Sequence, residues 1–215
     1  MEASSLLVDV RECLKPLNEK ILGHPYITEL EKGKLNLDQI KAFVSNQYYI
    51  VSHDIRSLGL MLSRSLTVKD ANFFDNVLRS DIEGLNLLVR LGNSMGLSVE
   101  QLEQYSIIPE AVGYTHYLAA LASFALPGEQ AMALIVNLPV WGANCVRLSK
   151  ALRAKYRIKE TGFLDIFTLP MDEAEKEAIE VMKEYLPARR EHMKRAAMLI
   201  QAYELMFWDS IHRHA

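Results

Sequence analysis

Apolar residues recur three and four positions apart through nearly every long segment of this 215-residue chain. Neither sustained alternation nor an Asn-Gly or Asp-Gly hairpin signal interrupts that rhythm. The chain therefore reads as all-α. Polar caps mark the helix starts: Asn36 before Leu37-Asp38-Gln39, Thr67 before Val68-Lys69-Asp70, and Ser98 with Gln101 three residues on, a capping-box pattern. Breakers fall at Gly23-His24-Pro25, Gly33, Gly96, Pro109, Leu126-Pro127-Gly128, Thr161-Gly162 and Leu169-Pro170. The cuts predict about seven helices, roughly 5–22, 37–64, 68–95, 99–124, 128–157, 172–186 and 188–212. No Ser/Gly/Pro-rich linker or internal repeat divides them, so residues 1–215 are expected to form a single-domain multi-helix bundle.

Half of the residues are hydrophobic, enough for one sizeable core. A formal charge of -3 and a pI near 6.1 give no reason to expect nucleic acid or an anionic membrane as partner. Met1-Glu2-Ala3-Ser4-Ser5 lacks the basic region of a signal or transit peptide, and no apolar stretch reaches membrane-spanning length free of charge or proline. The expectation is a cytoplasmic protein. Cys13 and Cys145, far apart, read as buried free thiols in a reducing compartment. The basic run Arg147, Lys150, Arg153, Lys155, Arg157, Lys159 and the acidic run Asp172, Glu173, Glu175, Glu177, Glu180 are expected to be solvated or to pair with each other, within or between subunits.

Glu204 stands in Ala196-Ala197-Met198-Leu199-Ile200-Gln201-Ala202-Tyr203-Glu204-Leu205-Met206-Phe207-Trp208, apolar around most of a helical circumference. A carboxylate taken out of water loses several kcal/mol unless hydrogen bonds or a raised pKa compensate. Glu204 should be buried or line a cavity, either as a structural acid or as a functional one. A second candidate is Asn137-Leu138-Pro139-Val140-Trp141-Gly142-Ala143-Asn144-Cys145, where Asn137 and Asn144 share a face with Val140 and Trp141 between them. The amides are pocket groups or satisfy carbonyls freed by Pro139. Cys145 lies off that stripe and reads as a core thiol. The third is the stripe Gln47, Ile50, Asp54, an amide and a carboxylate able to hydrogen-bond a polar heterocycle. Tyr114 and Tyr117 make a fourth, less specific stripe, with His116 on another face. The six histidines contain no i,i+3 or i,i+4 pair, and no Glu-x-x-His lies on a predicted helix, so neither a metal nor any other cofactor is expected. Phosphate loops and nucleophile elbows are absent from the sequence.

These residues bring the chain close to a known family. His24-Pro25-Tyr26, Gln39-Ile40-Lys41-Ala42-Phe43-Val44 leading into Gln47-Tyr48-Tyr49, Gly84 to Leu97, Gly113-Tyr114-Thr115, Leu138-Pro139-Val140-Trp141 and Glu204-Leu205-Met206-Phe207-Trp208-Asp209 follow one another at the spacing of TenA proteins. The chain resembles the TenA (thiaminase II) family, part of the heme-oxygenase-like superfamily that includes the PQQ-synthesis protein C and the chlamydial CADD proteins. The resemblance implies a heme-oxygenase-like bundle around a central pocket, assembled as a homodimer or homotetramer. It implies a small heterocyclic ligand and, in the standard case, hydrolysis of the amino group of an aminomethyl-pyrimidine salvaged from degraded thiamin.

Glu204 matches the family glutamate and Tyr114 one of its tyrosines. Val140 stands at the cysteine position, Gln47 at the aspartate position, Asn144 and Phe167 where tyrosines are usual, and Ile50 in place of an aromatic. Valine cannot attack a carbon, and a glutamine cannot take a proton or ion-pair as a carboxylate does. The iron-dependent branch is not expected either: Asp81-Ile82-Glu83-Gly84-Leu85-Asn86 keeps acids, but the histidine that should follow is missing. The resulting expectation is a TenA-like enzyme of hydrolase type acting on a nitrogen heterocycle. Glu204 would be catalytic, with Gln47, Ile50, Tyr114, Val140, Asn144 and Phe167 around the ligand. The alternatives are a cofactor-free oxidase of the PQQ-synthesis type and a ligand-binding homologue without activity.

Overall fold

Asn36, Thr67 and Ser98 each close a reciprocal capping box. Their side chains accept from the backbone N–H of Gln39, Asp70 and Gln101, and those residues' side chains return a bond to the cap's own amide. A computed structural model describes residues 2–168 and 171–214. Its helices are α1 (Ala3–Leu22), α2 (Pro25–Glu31), α3 (Leu37–Ser63), α4 (Val68–Ser94), α5 (Val99–Glu103), α6 (Gly113–Phe124), α7 (Pro127–Lys155), α8 (Gly162–Asp165) and α9 (Asp172–His214), with 3-10 turns at Pro109–Val112 and Ile166–Thr168. No strand occurs among the described residues. The break expected at Leu169-Pro170 lies outside them.

Three departures from the predicted helices have local causes. The Gly23-His24-Pro25 break is followed at once by α2, which starts on Pro25 at a position where no N–H is needed and is capped by His24 Nδ1 accepting from the Tyr26 N–H. The predicted 99–124 helix divides at Pro109. The connection is held from across the bundle by Asn46, whose Oδ1 accepts the Ile108 N–H. The two C-terminal helices are one 43-residue helix that runs through Pro187. Pro187 itself is exposed, while Val181 and Met182 before it and Met193, Ala196, Ala197 and Ile200 after it are all buried on the inner side. Packing on both flanks holds the helix continuous against the loss of one ladder bond.

Helices α7 and α9 are the most extensively packed pair, and the α3–α4 hairpin lies against them. Two groups of buried side chains result. One is aromatic, built on Tyr26, Phe43, Trp141, Phe207 and Trp208, with Phe43 and Trp208 stacked at 6.0 Å between centroids. The other is built on Phe73, Phe74, Met132 and Met193. Each fully buried side chain of this size contributes roughly 1.5–3 kcal/mol. Helix α7 serves both groups. Among the described helices it alone is long and apolar enough to cross a membrane, yet 72% of its most apolar 18-residue window is buried inside the fold.

The charged runs are exposed or half-buried, the solvated alternative expected of them, and the expectation for Cys13 is corrected. The acidic run at the start of α9 does not meet the basic run at the end of α7. Glu175 pairs with Arg11 of α1 and Glu180 with Lys69 of α4, whereas Arg147 pairs with Glu31 and Arg153 with Asp165. The start of α9 lies on the α1 and α4 side, while the end of α7 faces α2 and α8. Cys13 is exposed rather than buried. Cys145 is a core thiol, as expected.

Candidate functional site

Where the two buried groups meet, the helices leave a small cavity of about 80 Å³. Helix α3 contributes Gln47, Ile50, Val51, Asp54 and Leu58, all at three- and four-residue spacing. Helix α4 adds Val77 and Asp81, and α6 adds Tyr114 and Leu118. Helix α7 presents Leu134, Asn137, Leu138 and Trp141, and α9 presents Glu204 and Phe207. Phe163 of α8 and Phe167 of the following 3-10 turn complete the wall.

Five of the expected site residues, Glu204, Gln47, Ile50, Tyr114 and Phe167, line this cavity. Val140 and Asn144 do not, which corrects the reading of α7. Its cavity face is centred on Leu134, Asn137, Leu138 and Trp141, so Val140 is turned about 100° from Trp141 by the single-residue step. Asn144 is buried at the far side, where its Nδ2 donates to the Ile21 carbonyl at 3.4 Å. Cys145 is likewise buried off the lining, and burial pushes its thiol well up. Tyr117 pairs with Tyr203 at 5.3 Å, and His116 reaches the Tyr49 hydroxyl. Neither lines the cavity.

Glu204 is 5% exposed. Its Oε1 accepts from the indole Nε1 of Trp208, one turn along α9, at 2.8 Å. Burial raises its pKa to about 7, opposed by hydrogen bonding from Trp208 and Asn137. Asn137 is the hub of a polar chain. Its Oδ1 accepts from the Tyr114 hydroxyl at 3.2 Å and its Nδ2 donates to Gln201 Oε1 at 2.8 Å. Gln201 in turn donates to Asn18 Oδ1 at 2.6 Å. The chain fixes which way the Asn137 amide faces.

Two further carboxyls share the cavity. Asp54 accepts from the Thr115 hydroxyl, and burial, reinforced by the charge of Asp81, holds its pKa well above the carboxylate range. Asp81 is pushed by burial to about 7. Burial, and after it the charges of Asp54, Glu204 and Asp81, raises the Tyr114 hydroxyl. Among the described residues no Lys, Arg or His lines the cavity. Nor do three histidine, cysteine or carboxylate side chains converge anywhere in an arrangement able to hold a metal ion. Asp81 was not singled out in the sequence as a site residue. The signal was present: it follows Val77 by four and precedes Gly84 and Leu88 on the buried stripe of α4.

Phe167 is held in the wall by backbone contact. A Cβ built on Gly142 would lie 2.6 Å from the Phe167 carbonyl oxygen, so only glycine lets the 3-10 turn sit this close to α7. The Phe167 ring then meets Trp141 edge-on at 5.9 Å. Leu138 and Phe167 also border a groove on the outer surface, so this wall separates cavity from solvent.

Comparison with curated protein sequences gives no match. Solved structures do match. The fold is similar to a TenA homologue from Pseudomonas syringae pv. tomato (TM-score 0.83, 13% identity, 99% of this chain and 96% of that one). It is also similar to a protein from Sulfolobus solfataricus provisionally described as a TenA-like thiaminase (TM-score 0.75, 16% identity, 100% and 97%). A domain from Shewanella denitrificans described as having a heme oxygenase-like fold matches as well (TM-score 0.82, 14% identity, 97% and 92%). At such identities the likeness establishes the all-α, heme oxygenase-like fold. Residues 11–214 match the family described as TENA/THI-4/PQQC, so the chain belongs to the TENA/THI-4/PQQC family.

Proposed function

We propose that this protein is a TenA-type enzyme acting on a small nitrogen-containing heterocycle, with Glu204 as the group that gives and takes the proton. The observation that carries the reading is Glu204 itself: buried, on the wall of an aromatic-lined cavity, with burial raising its pKa to about 7. An acid of that pKa is close to equally protonated and ionised at neutral pH, the condition under which one group serves as both general acid and general base. Trp141, Phe163, Phe167 and Phe207 offer faces for a flat ring, and Gln47 and Asn137 offer amides for its edge.

The family's cysteine route does not fit this chain, because Val140 stands at the cysteine position and no sulfur lines the cavity. Hydrolysis of a C–N bond here uses water directly. The ionised Glu204 takes a proton from the water as its oxygen attacks the carbon. The protonated acid then returns that proton to the departing nitrogen, which leaves as an amine or ammonia. The thiamin-salvage version of this reading takes an aminomethyl-pyrimidine as substrate, in line with the description of the S. solfataricus neighbour as a TenA-like thiaminase.

The test is direct. Purified protein is incubated with the aminomethyl-pyrimidine, its formyl derivative and thiamin, and followed by product formation and thermal shift. Turnover that falls about 10²–10⁴-fold in Glu204→Gln supports the reading. Neither turnover nor stabilisation by any of the three overturns its thiamin version, and binding that persists unchanged in Glu204→Gln without turnover points to a homologue that only binds.

A further inference from the structure

The cavity has two ends. Glu204, Trp141 and Phe207 lie at the aromatic end with Gln47, since Phe43, one turn before Gln47, stacks on both Trp141 and Trp208. Asp54 lies two turns further along α3, about 10 Å by helical rise. There it faces Asp81 from α4, and the aliphatic side chains Leu58 and Val77 close the space beyond. Two carboxyls meet at one end with no cation on the described lining, so burial holds them toward the neutral form, and a cation brought in by a ligand would favour their ionised form.

A second observation, independent of the acids, points to a ligand that spans the cavity. Gln47 is only 5% exposed and lines the cavity, yet its side-chain amide makes no hydrogen bond to any described residue. The amide therefore faces the cavity with its donors and acceptor free for a ligand. The carboxyl of Asp81 is similarly without a hydrogen bond among the described residues, and that of Asp54 has only Thr115 and no cation. The polar groups left open therefore sit at both ends, a neutral amide beside the aromatic wall and a carboxyl pair about two turns away.

Resting on the heterocycle reading above, we propose that Asp54 and Asp81 form a subsite for an organic cation. The ligand is then a monocyclic heteroaromatic that engages Gln47 and carries an alkyl arm of about two to four carbons ending in an ammonium or amidinium group. The ring is edged by the Gln47 amide and covered by the aromatic side chains. The arm runs along the Ile50 and Val51 face of α3, and the charged end lies between the two carboxyls. This places the carboxyl recognition that the family keeps at position 47 on two other residues, seven positions along α3 and across on α4.

The experiment is calorimetric titration with a probe series: 4-aminopyrimidine, the same ring with ω-aminoalkyl arms of one to four carbons, and the matching ω-hydroxyalkyl compounds. The best amine is expected to bind at least about tenfold tighter than its alcohol, a preference that drops below about threefold in Asp54→Asn and in Asp81→Asn. 4-Aminopyrimidine itself should bind wild type and both variants alike. Equal affinity for amines and alcohols in wild type, or a preference that survives both substitutions, overturns the subsite. Amines that bind through Asp54 and Asp81 while 4-aminopyrimidine does not bind would leave the subsite standing and remove the heterocycle reading; binding by no member removes both. Thermal melts check each variant's fold. Should Asp54→Asn not fold, Asp81→Asn carries the test, because its carboxyl holds no hydrogen bond to any described residue.

Discussion

Trp208 donates its indole proton to Glu204 from the next turn of the same helix, at 2.8 Å, inside a region where neither group meets bulk water. The bond stabilises the ionised form of an acid whose burial favours the neutral one, and the balance sets the pKa at about 7. Trp208→Phe keeps the ring stack with Phe43 but removes the donor. The expected result is a Glu204 pKa above 7, read as a shift to higher pH of the acidic limb of a pH–rate profile, with kcat reduced at neutral pH.

Stability should depend on pH through the same group. The folded-state pKa of Glu204, about 7, lies above its unfolded value, so the folded protein holds more protons between the two. Stability is then fully present below pH of about 4.5 and falls as pH rises toward 7, by an amount on the order of 3 kcal/mol for this group. Glu204→Gln removes the ionisation. The variant should melt higher than wild type at pH 8 and about equally at pH 5, and identical differences at the two pH values would contradict the assignment.

Gly142 and the Phe167 carbonyl make a contact that no larger residue permits. Gly142→Ala should displace the 3-10 turn Ile166–Thr168 from α7 and cost about 1–3 kcal/mol in urea denaturation. It should also loosen the edge contact between Phe167 and Trp141, visible as a change in tryptophan emission.

Asn137 joins Tyr114 to Gln201 and, through it, to Asn18. Asn137→Ala strands the Tyr114 hydroxyl and the Gln201 carbonyl oxygen together, at a cost of about 1–3 kcal/mol for each buried group left unpaired. Asn137→Asp should be milder in stability at low pH and worse at high pH, because it adds a carboxylate beside Glu204. Denaturation curves at pH 5 and 8 separate the two.

Much of this architecture could be read from residue spacing. The capping residues Asn36, Thr67 and Ser98 stand where the helices begin, and Gln47, Ile50 and Asp54 share the face their periodicity assigned. Glu204 was legible because an acid in an apolar helix has few places to go. Periodicity failed where it depends on a neighbour. Pro187 looks like a helix end until packing on both sides overrides it, and the arc of α7 that faces the cavity is set by how α7 sits on α9. That rotation takes in Trp141 and leaves out Val140 and Asn144. Asp81 was read only as one of the acids kept from the iron-dependent branch and not as a pocket residue, because a single acid on an amphipathic helix resembles an ordinary solvent-facing one. Only the stripe Val77, Gly84 and Leu88 around it betrays the inward turn.

A cavity whose described lining holds three acids and no basic side chain offers an incoming anion no counter-ion. Uncharged bases and amines meet no such penalty there.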